Sequence, residues 1–318
     1  MAELALKTST LPRPRMTGID PAQIRARRRR EKVFIGLGLA STLIGLAALS
    51  LLLFDLAAAG LPRLNWDFFA SFPSRRASAA GILSAWVGSL LVILVTGLIG
   101  IPLGVAAGIY LEEYAPRNWM TNVIEINVSN LAAVPSIVYG LLALGLFVYG
   151  LGTGRSVLTA GLTLALLILP IIIVATRESI RSVPYSIREA AYGIGATKGQ
   201  VTRDHVLPAS IPGILTGVII GLSRALGETA PLITIGALTF IAFLPESPVS
   251  SEFPYVSFRW LFDGFTVLPI QAFNWISRPG ADFHANAAAA GLVLLALTLS
   301  LNALAITLRY RLRKRLQW

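Results

Sequence analysis

The sequence contains no cysteine, which excludes disulfides and thiolate metal sites. Its only two histidines, His205 and His284, lie far apart in the chain and offer no His-based metal centre. No G-x-x-x-x-G-K-[ST] loop occurs, so the chain does not bind ATP through a P-loop. Nor does it carry G-x-S-x-G, H-E-x-x-H or a carboxylate pair at catalytic spacing, which leaves an intramembrane enzyme without support. Charge itself is scarce. Of 318 residues 14% are charged and 55% hydrophobic, and several uncharged runs exceed the length needed to cross a bilayer. The expected class is an all-α, polytopic membrane protein of six transmembrane helices.

What charge there is lies unevenly. The net charge is +11, yet the basic residues flank apolar runs and do not interleave with aromatics, so nucleic acid is not an expected partner. Of the 27 Lys and Arg, twenty fall in the tail before Val33, at Arg117, between Arg177 and Pro208, and after Leu308. Six fall in the alternate segments, and Arg224 stands inside a span. By the positive-inside rule both termini and the Arg177–Pro208 stretch are cytoplasmic.

Residues 1–32 read as a disordered basic tail, whose charge sets topology or meets anionic lipid. Residues 33–80 hold the first span, Val33 to Phe54, and an external segment with Trp66, Phe68, Phe69 and Phe72. Ala57-Ala58-Ala59 resembles a signal-peptidase site, but the long tail and long apolar run favour an uncleaved anchor. Residues 81–308 form the transmembrane domain. Its second span carries Gly100-x-x-x-Gly104-x-x-x-Gly108, and its fifth, starting near Ile211, carries Gly213-x-x-x-Gly217-x-x-x-Gly221. Both patterns let helices approach closely. The third span, about Val123 to Leu151, is expected to kink at Pro135, and the fourth ends near Thr176. An aromatic-rich external loop, Glu246 to His284, reads as a headgroup-level belt or a docking surface. The sixth span is about Ala285 to Leu308, and residues 309–318 are a second basic tail.

Between the fourth and fifth spans lies a polar island, residues 177–208. Ser186-Ile187-Arg188-Glu189 and Thr197-Lys198-Gly199-Gln200 each fit a capping box. Gly193 and Gly195 suit the stop of the first short helix, and Pro208 the end of the second. A small helix–turn–helix held between two spans implies something that docks on it.

Two groups of charges invite chemistry. Arg224 lies roughly 20 Å along its span at ~1.5 Å per residue, with Glu228 four positions on. A charge at that depth costs at least about 2.5–3.5 kcal/mol unless it faces the bundle interior. The pair reads either as a lock between helices or as the lining of a substrate path, in which Arg224 would meet an oxyanion. Arg177, Glu178 and Arg181, at the inner mouth of the fourth span, read as interfacial anchors or as an anion exit vestibule.

Several stretches carry a resemblance. Glu189-Ala190-Ala191, Gly195 and Leu207-Pro208 match the E-A-A-x3-G-x9-I-x-L-P signature of ABC-importer permeases, with His205 at the aliphatic position. Tyr110-Leu111-Glu112-Glu113-Tyr114-Ala115-Pro116, Val134-Pro135-Ser136-Ile137-Val138-Tyr139-Gly140, Arg224 to Pro231 and Leu268 to Trp275 narrow it further. From about Gly81 onward the chain resembles the PstA-type phosphate permeases of that family.

The resemblance implies a permease subunit of the prokaryotic cytoplasmic membrane that moves phosphate inward by alternating access. It implies three partners: a second, PstC-like permease subunit, a pair of ATPase subunits that bind ATP and Mg, and an external phosphate-binding protein. It further implies that Glu189, Ala190, Ala191, Gly195, Leu207 and Pro208 belong to the element that docks on the ATPase. Arg224 and Glu228 would serve phosphate passage; Arg177 and Arg181 join that path only on the vestibule reading of their own position. A permease for sulfate or molybdate, or an ion-coupled secondary transporter, are the alternatives. The latter predicts an internal hydropathy repeat, which is not evident.

Overall fold

The computed structural model describes residues 21–249 and 255–315. Among them there is no β-strand, only one isolated bridge between Val249 and Val256. The chain divides into two units, residues 1–55 and 56–318. The first holds most of α1 (Pro21–Gly60). This helix takes in residues 21–32, which the sequence reading assigns to the irregular tail. Pro21 suits a first helical position because it has no N–H to leave unpaired, and the Arg, Ala, Gln, Glu and Lys that follow are good helix formers. Residues 1–20 lie outside the described residues.

The second unit contains α2 (Trp66–Ala70), α3 (Leu83–Ile109), α4 (Trp119–Leu131), α5 (Ser136–Ala143) and α6 (Val157–Arg181). It continues with α7 (Tyr185–Gly193), α8 (Lys198–Gln200), α9 (Leu207–Gly227), α10 (Ala230–Thr234), α11 (Leu268–Ile276) and α12 (Ala281–Arg315). Wide π-type turns follow α3 (Tyr110–Tyr114), α5 (Leu144–Gly150) and α8 (Val201–Val206). Among the described residues five helices are long and apolar enough to cross a membrane, and α4 with α5 gives a sixth if the bent pair counts as one span.

That pair turns through 107°, far more than a kink. Proline disfavours the helical conformation of the residue before it, so α4 stops at Leu131 and α5 restarts at Ser136. The Tyr139 hydroxyl, 2.8 Å from the Leu131 carbonyl it donates to, ties the bend.

Helix α6 is the centre of the unit, and the two glycine ladders expected from sequence both seat on it. On α3, a Cβ at Gly104 would come 2.7 Å from the Ile172 side chain, and one at Gly108 2.6 Å from Thr176. On α9, Gly217 lies against Ala175 and Gly221 against Ile168 and Ile172. Val92, Val95, Leu164, Ile168, Ile172, Val218 and Leu226 fill the core between the three helices.

The loop between Glu246 and His284, expected from sequence to be external, is more structured than that reading suggests. Trp260, Phe265 and Trp275 are buried, so they are core residues rather than a belt. Phe68 is buried too, with its ring 5.9 Å from that of Trp275. The nine residues of α11 are too few to cross a bilayer, yet Leu268, Pro269, Ile270 and Trp275 are buried where the helix folds back against α3 and α12. Trp66, Phe258, Phe262 and Phe273 remain exposed.

Candidate functional site

Helix α9 ends at Gly227, and Glu228 already has an extended backbone, with ψ at 125°. Helix α10 restarts at Ala230 with Pro231 in its first turn. Across this break Arg224 Nε donates to Glu228 Oε1 at 3.2 Å. The two Nη atoms of Arg224 enter no other hydrogen bond among the described residues, and its side chain is 37% exposed. The spacing of four therefore does pair the charges, although Glu228 sits past the helix end and not on its face.

Neighbouring elements fix the break from two sides. Gly140 of α5 packs against α10, where a Cβ would come 2.7 Å from Pro231 Cα, and Arg224 lies within electrostatic reach of Tyr139. On the other side Ser223 donates to Asn302 Oδ1 of α12 at 2.6 Å.

Arg177 and Arg181 are elsewhere. Gly221 of α9 meets α6 at Ile168, nine residues before Arg177, so Arg177 lies roughly 14 Å along the axis from that level. Its guanidinium is buried, with Nη2 2.7 Å from Glu125 and Nε 3.4 Å from Glu112. Arg181 holds Glu112 with two bonds, at 3.1 and 2.9 Å, and Glu178 at 3.3 Å. Both arginines are thus already matched by carboxylates. The sequence reading passes over Glu125, although an acid within a stretch read as a span is the signal that could have found it.

The island keeps its helix–turn–helix character with two corrections. Pro184, not Ser186, is the N-cap of α7, and no side chain caps that helix. Ser186 falls inside the first turn because Pro184 already halts the chain entering it, and Glu189 is left outside the cap. Pro208 does not end a helix either. The π turn at Val201–Val206 leads straight into α9, and Pro208 occupies its first turn, where a missing N–H costs least. The second capping box is present: Thr197 N donates to Gln200 Oε1 at 2.8 Å, and Gln200 N to Thr197 Oγ1 at 3.4 Å. Gly195 has φ +88°, the left-handed conformation expected of the turn.

These choices sort the island's residues into two faces. Ala191 is buried with Ile180, Val183, Val201 and Val206, while Leu207 and Pro208 are half-buried and His205 sits on the π turn. Glu189, Ala190 and Gly195 are exposed, together with Tyr185, Tyr192 and Ile194, the last at 84%. Glu189 enters none of the ion pairs among the described residues. An exposed apolar patch beside a free carboxylate is a surface built for contact.

The family described as "Binding-protein-dependent transport system inner membrane component" matches residues 100–318. The chain belongs to that family. As an inner membrane component it is a multi-pass protein. It is 37% identical over 212 residues to the phosphate transport system permease protein PstA of Yersinia pestis, covering 65% of this chain and 70% of that relative. The PstA protein of Haemophilus influenzae is 34% identical over 245 residues, 76% of this chain and 85% of the relative. The probable ABC transporter permease protein YqgI of Bacillus subtilis is 32% identical over 239 residues, 74% and 80%. Among solved structures, a bacterial alginate ABC transporter chain superposes with a TM-score of 0.60 at 14% identity, covering 87% of this chain and 93% of the other. An inward-facing MetNI methionine ABC transporter chain gives 0.54 at 17%, covering 71% and 93%. At these identities the likeness is one of fold: this inner membrane component is built as an ABC importer permease.

Proposed function

We infer that this chain is the permease subunit of an ATP-driven importer that moves inorganic phosphate inward across the cytoplasmic membrane by alternating access. Arg224 carries the reading. It is an arginine at a helix break with one nitrogen on Glu228 and two Nη atoms open. A guanidinium presents a planar fork that bonds oxyanions two at a time, and its competition with Glu228 lets the anion be released again. PstA relatives named for phosphate transport support the choice of anion. Arg177 and Arg181, already matched by carboxylates, act in this reading as the inner frame of the path rather than as its anion ligands.

ATP hydrolysis falls to a partner. The exposed face around Glu189, Ala190, Ile194 and Gly195 is the surface on which an ATPase subunit docks, with ATP and Mg bound there and not in this chain. A second permease subunit completes the path, and an external binding protein delivers phosphate. Both termini and the island face the cytoplasm, as the distribution of basic residues supports.

Extraction of the complex from its native membrane tests the assignment. An ATPase subunit should co-purify, with hydrolysis stimulated by phosphate-loaded binding protein. Stimulation by sulfate-loaded binding protein in its place would reassign the anion, and purification without any ATPase would overturn the importer reading.

A further inference from the structure

Helix α7 is joined covalently to α6 by only three residues, Ser182 to Pro184, yet it is also tied to α3. The tie is Arg188. Its Nη2 lies 2.8 Å from Glu113 Oε1, on the π turn that ends α3, and 3.1 Å from the Ile180 carbonyl. Its Nη1 donates to the Val183 carbonyl at 2.8 Å. Both charged side chains of the pair are nearly buried, at 12% and 10% exposure. One guanidinium therefore bonds the Val183 carbonyl just past α6, adds a bond to the Ile180 carbonyl already held by the Val183 N–H, and pairs with an acid at the end of α3.

The neighbouring acid repeats the pattern toward α6. Glu112 receives two bonds from Arg181 and lies 3.4 Å from Arg177. Tyr114, on the same π turn, faces the second half of the island, with Lys198 Nζ 5.2 Å from its ring centroid. Behind these contacts α3 and α6 meet at Gly104 and Gly108 too closely to slide without strain. Successive residues of a helical turn project about 100° apart, so the two adjacent acids of the π turn reach different partners.

We propose that Glu113 and Arg188 are a positioning pair that clamps α7 to α3, so that a displacement of α7 is delivered to α3 and α6 together as one rigid lever. The proposal rests on the reading of α7 as the ATPase dock. It assigns the Glu112-Glu113 dipeptide a role in energy coupling: the carboxylates hold the lever, and neither touches the transported anion. Removing one partner strands the other charge in a buried setting, so loss of either residue loosens the joint.

The test uses the assembled complex in proteoliposomes, reading both the anion moved and the ATP hydrolysed. In Glu113→Gln, ATPase subunits should remain bound and hydrolysis continue, while anion moved per ATP falls roughly tenfold, within the range seen when a coupling residue is changed. The swap Glu113→Arg/Arg188→Glu should recover part of that ratio. Because the chain has no native cysteine, Glu113→Cys/Arg188→Cys can also be bridged by a short bifunctional thiol reagent. A rigid lever predicts that bridging restores transport. An unchanged ratio in Glu113→Gln, or abolition of transport by the bridge, would overturn the clamp. Failure of the unsubstituted complex to couple ATP to transport would instead strike the importer reading itself.

Discussion

Arg224 and Glu228 are bonded at 3.2 Å across the end of α9, the arginine still helical and the glutamate already extended. A pair placed this way opens without unwinding a helix, since only the short Glu228–Thr229 link needs to turn. In the proposed function this pair serves as a switchable anion contact.

Arg224→Gln should leave the complex assembled and lower anion uptake by about two orders of magnitude, the scale of losing one placed donor. Arg224→Gln/Glu228→Gln should stay equally inactive. If the pair were only a lock, neutralising both charges would be tolerated better than neutralising one. Normal uptake by the double variant would show the pair to be structural.

Ile194→Asp and Glu189→Lys alter the exposed face of the island without touching its buried side. Both variants should insert normally, bind the ATPase subunit more weakly on co-purification, and lose most ATP-driven uptake. Glu189 caps nothing, so Glu189→Gln isolates its charge and should give an intermediate defect. Unaltered ATPase binding in Glu189→Lys would remove that residue from the dock.

Gly108→Val inserts a branched side chain where even a Cβ meets Thr176 at 2.6 Å. Overpacking of this kind costs about 1–3 kcal/mol. The detergent-solubilised complex should melt at a lower temperature. A melting point equal to that of the native complex would mean that α3 and α6 are not packed as described.

Orientation follows from labelling. Ser74→Cys and Ser247→Cys should react with a membrane-impermeant thiol reagent on intact cells, and Thr197→Cys only after the membrane is opened. Reaction of Thr197→Cys from outside would invert the topology.

Much of this was legible in the residues. Uncharged runs located the long helices, and the two Gly-x-x-x-Gly ladders found the close contacts, because both are local patterns. Thr197 and Gln200 announced their capping box for the same reason. What sequence reading missed depends on distant partners. Nothing local says that Glu113 meets Arg188, or that Arg177 is buried between Glu112 and Glu125. The misread cap at Ser186 shows two local signals in competition: Pro184 halts the chain first, and the serine side chain loses the position. Helix α11 went unrecognised because a short apolar run with tryptophan reads equally well as an interfacial loop. Only its burial against α3 and α12 decides the matter.

In the proposed function this chain carries phosphate inward at the expense of ATP hydrolysed by its partners. Uptake of radiolabelled phosphate should be measured in proteoliposomes holding the purified complex, with binding protein and ATP on their respective sides. Uptake should require both, be unaffected by excess sulfate, and fall by about two orders of magnitude with Arg224→Gln. Uptake that persists without ATP, or that sulfate abolishes, would contradict that function.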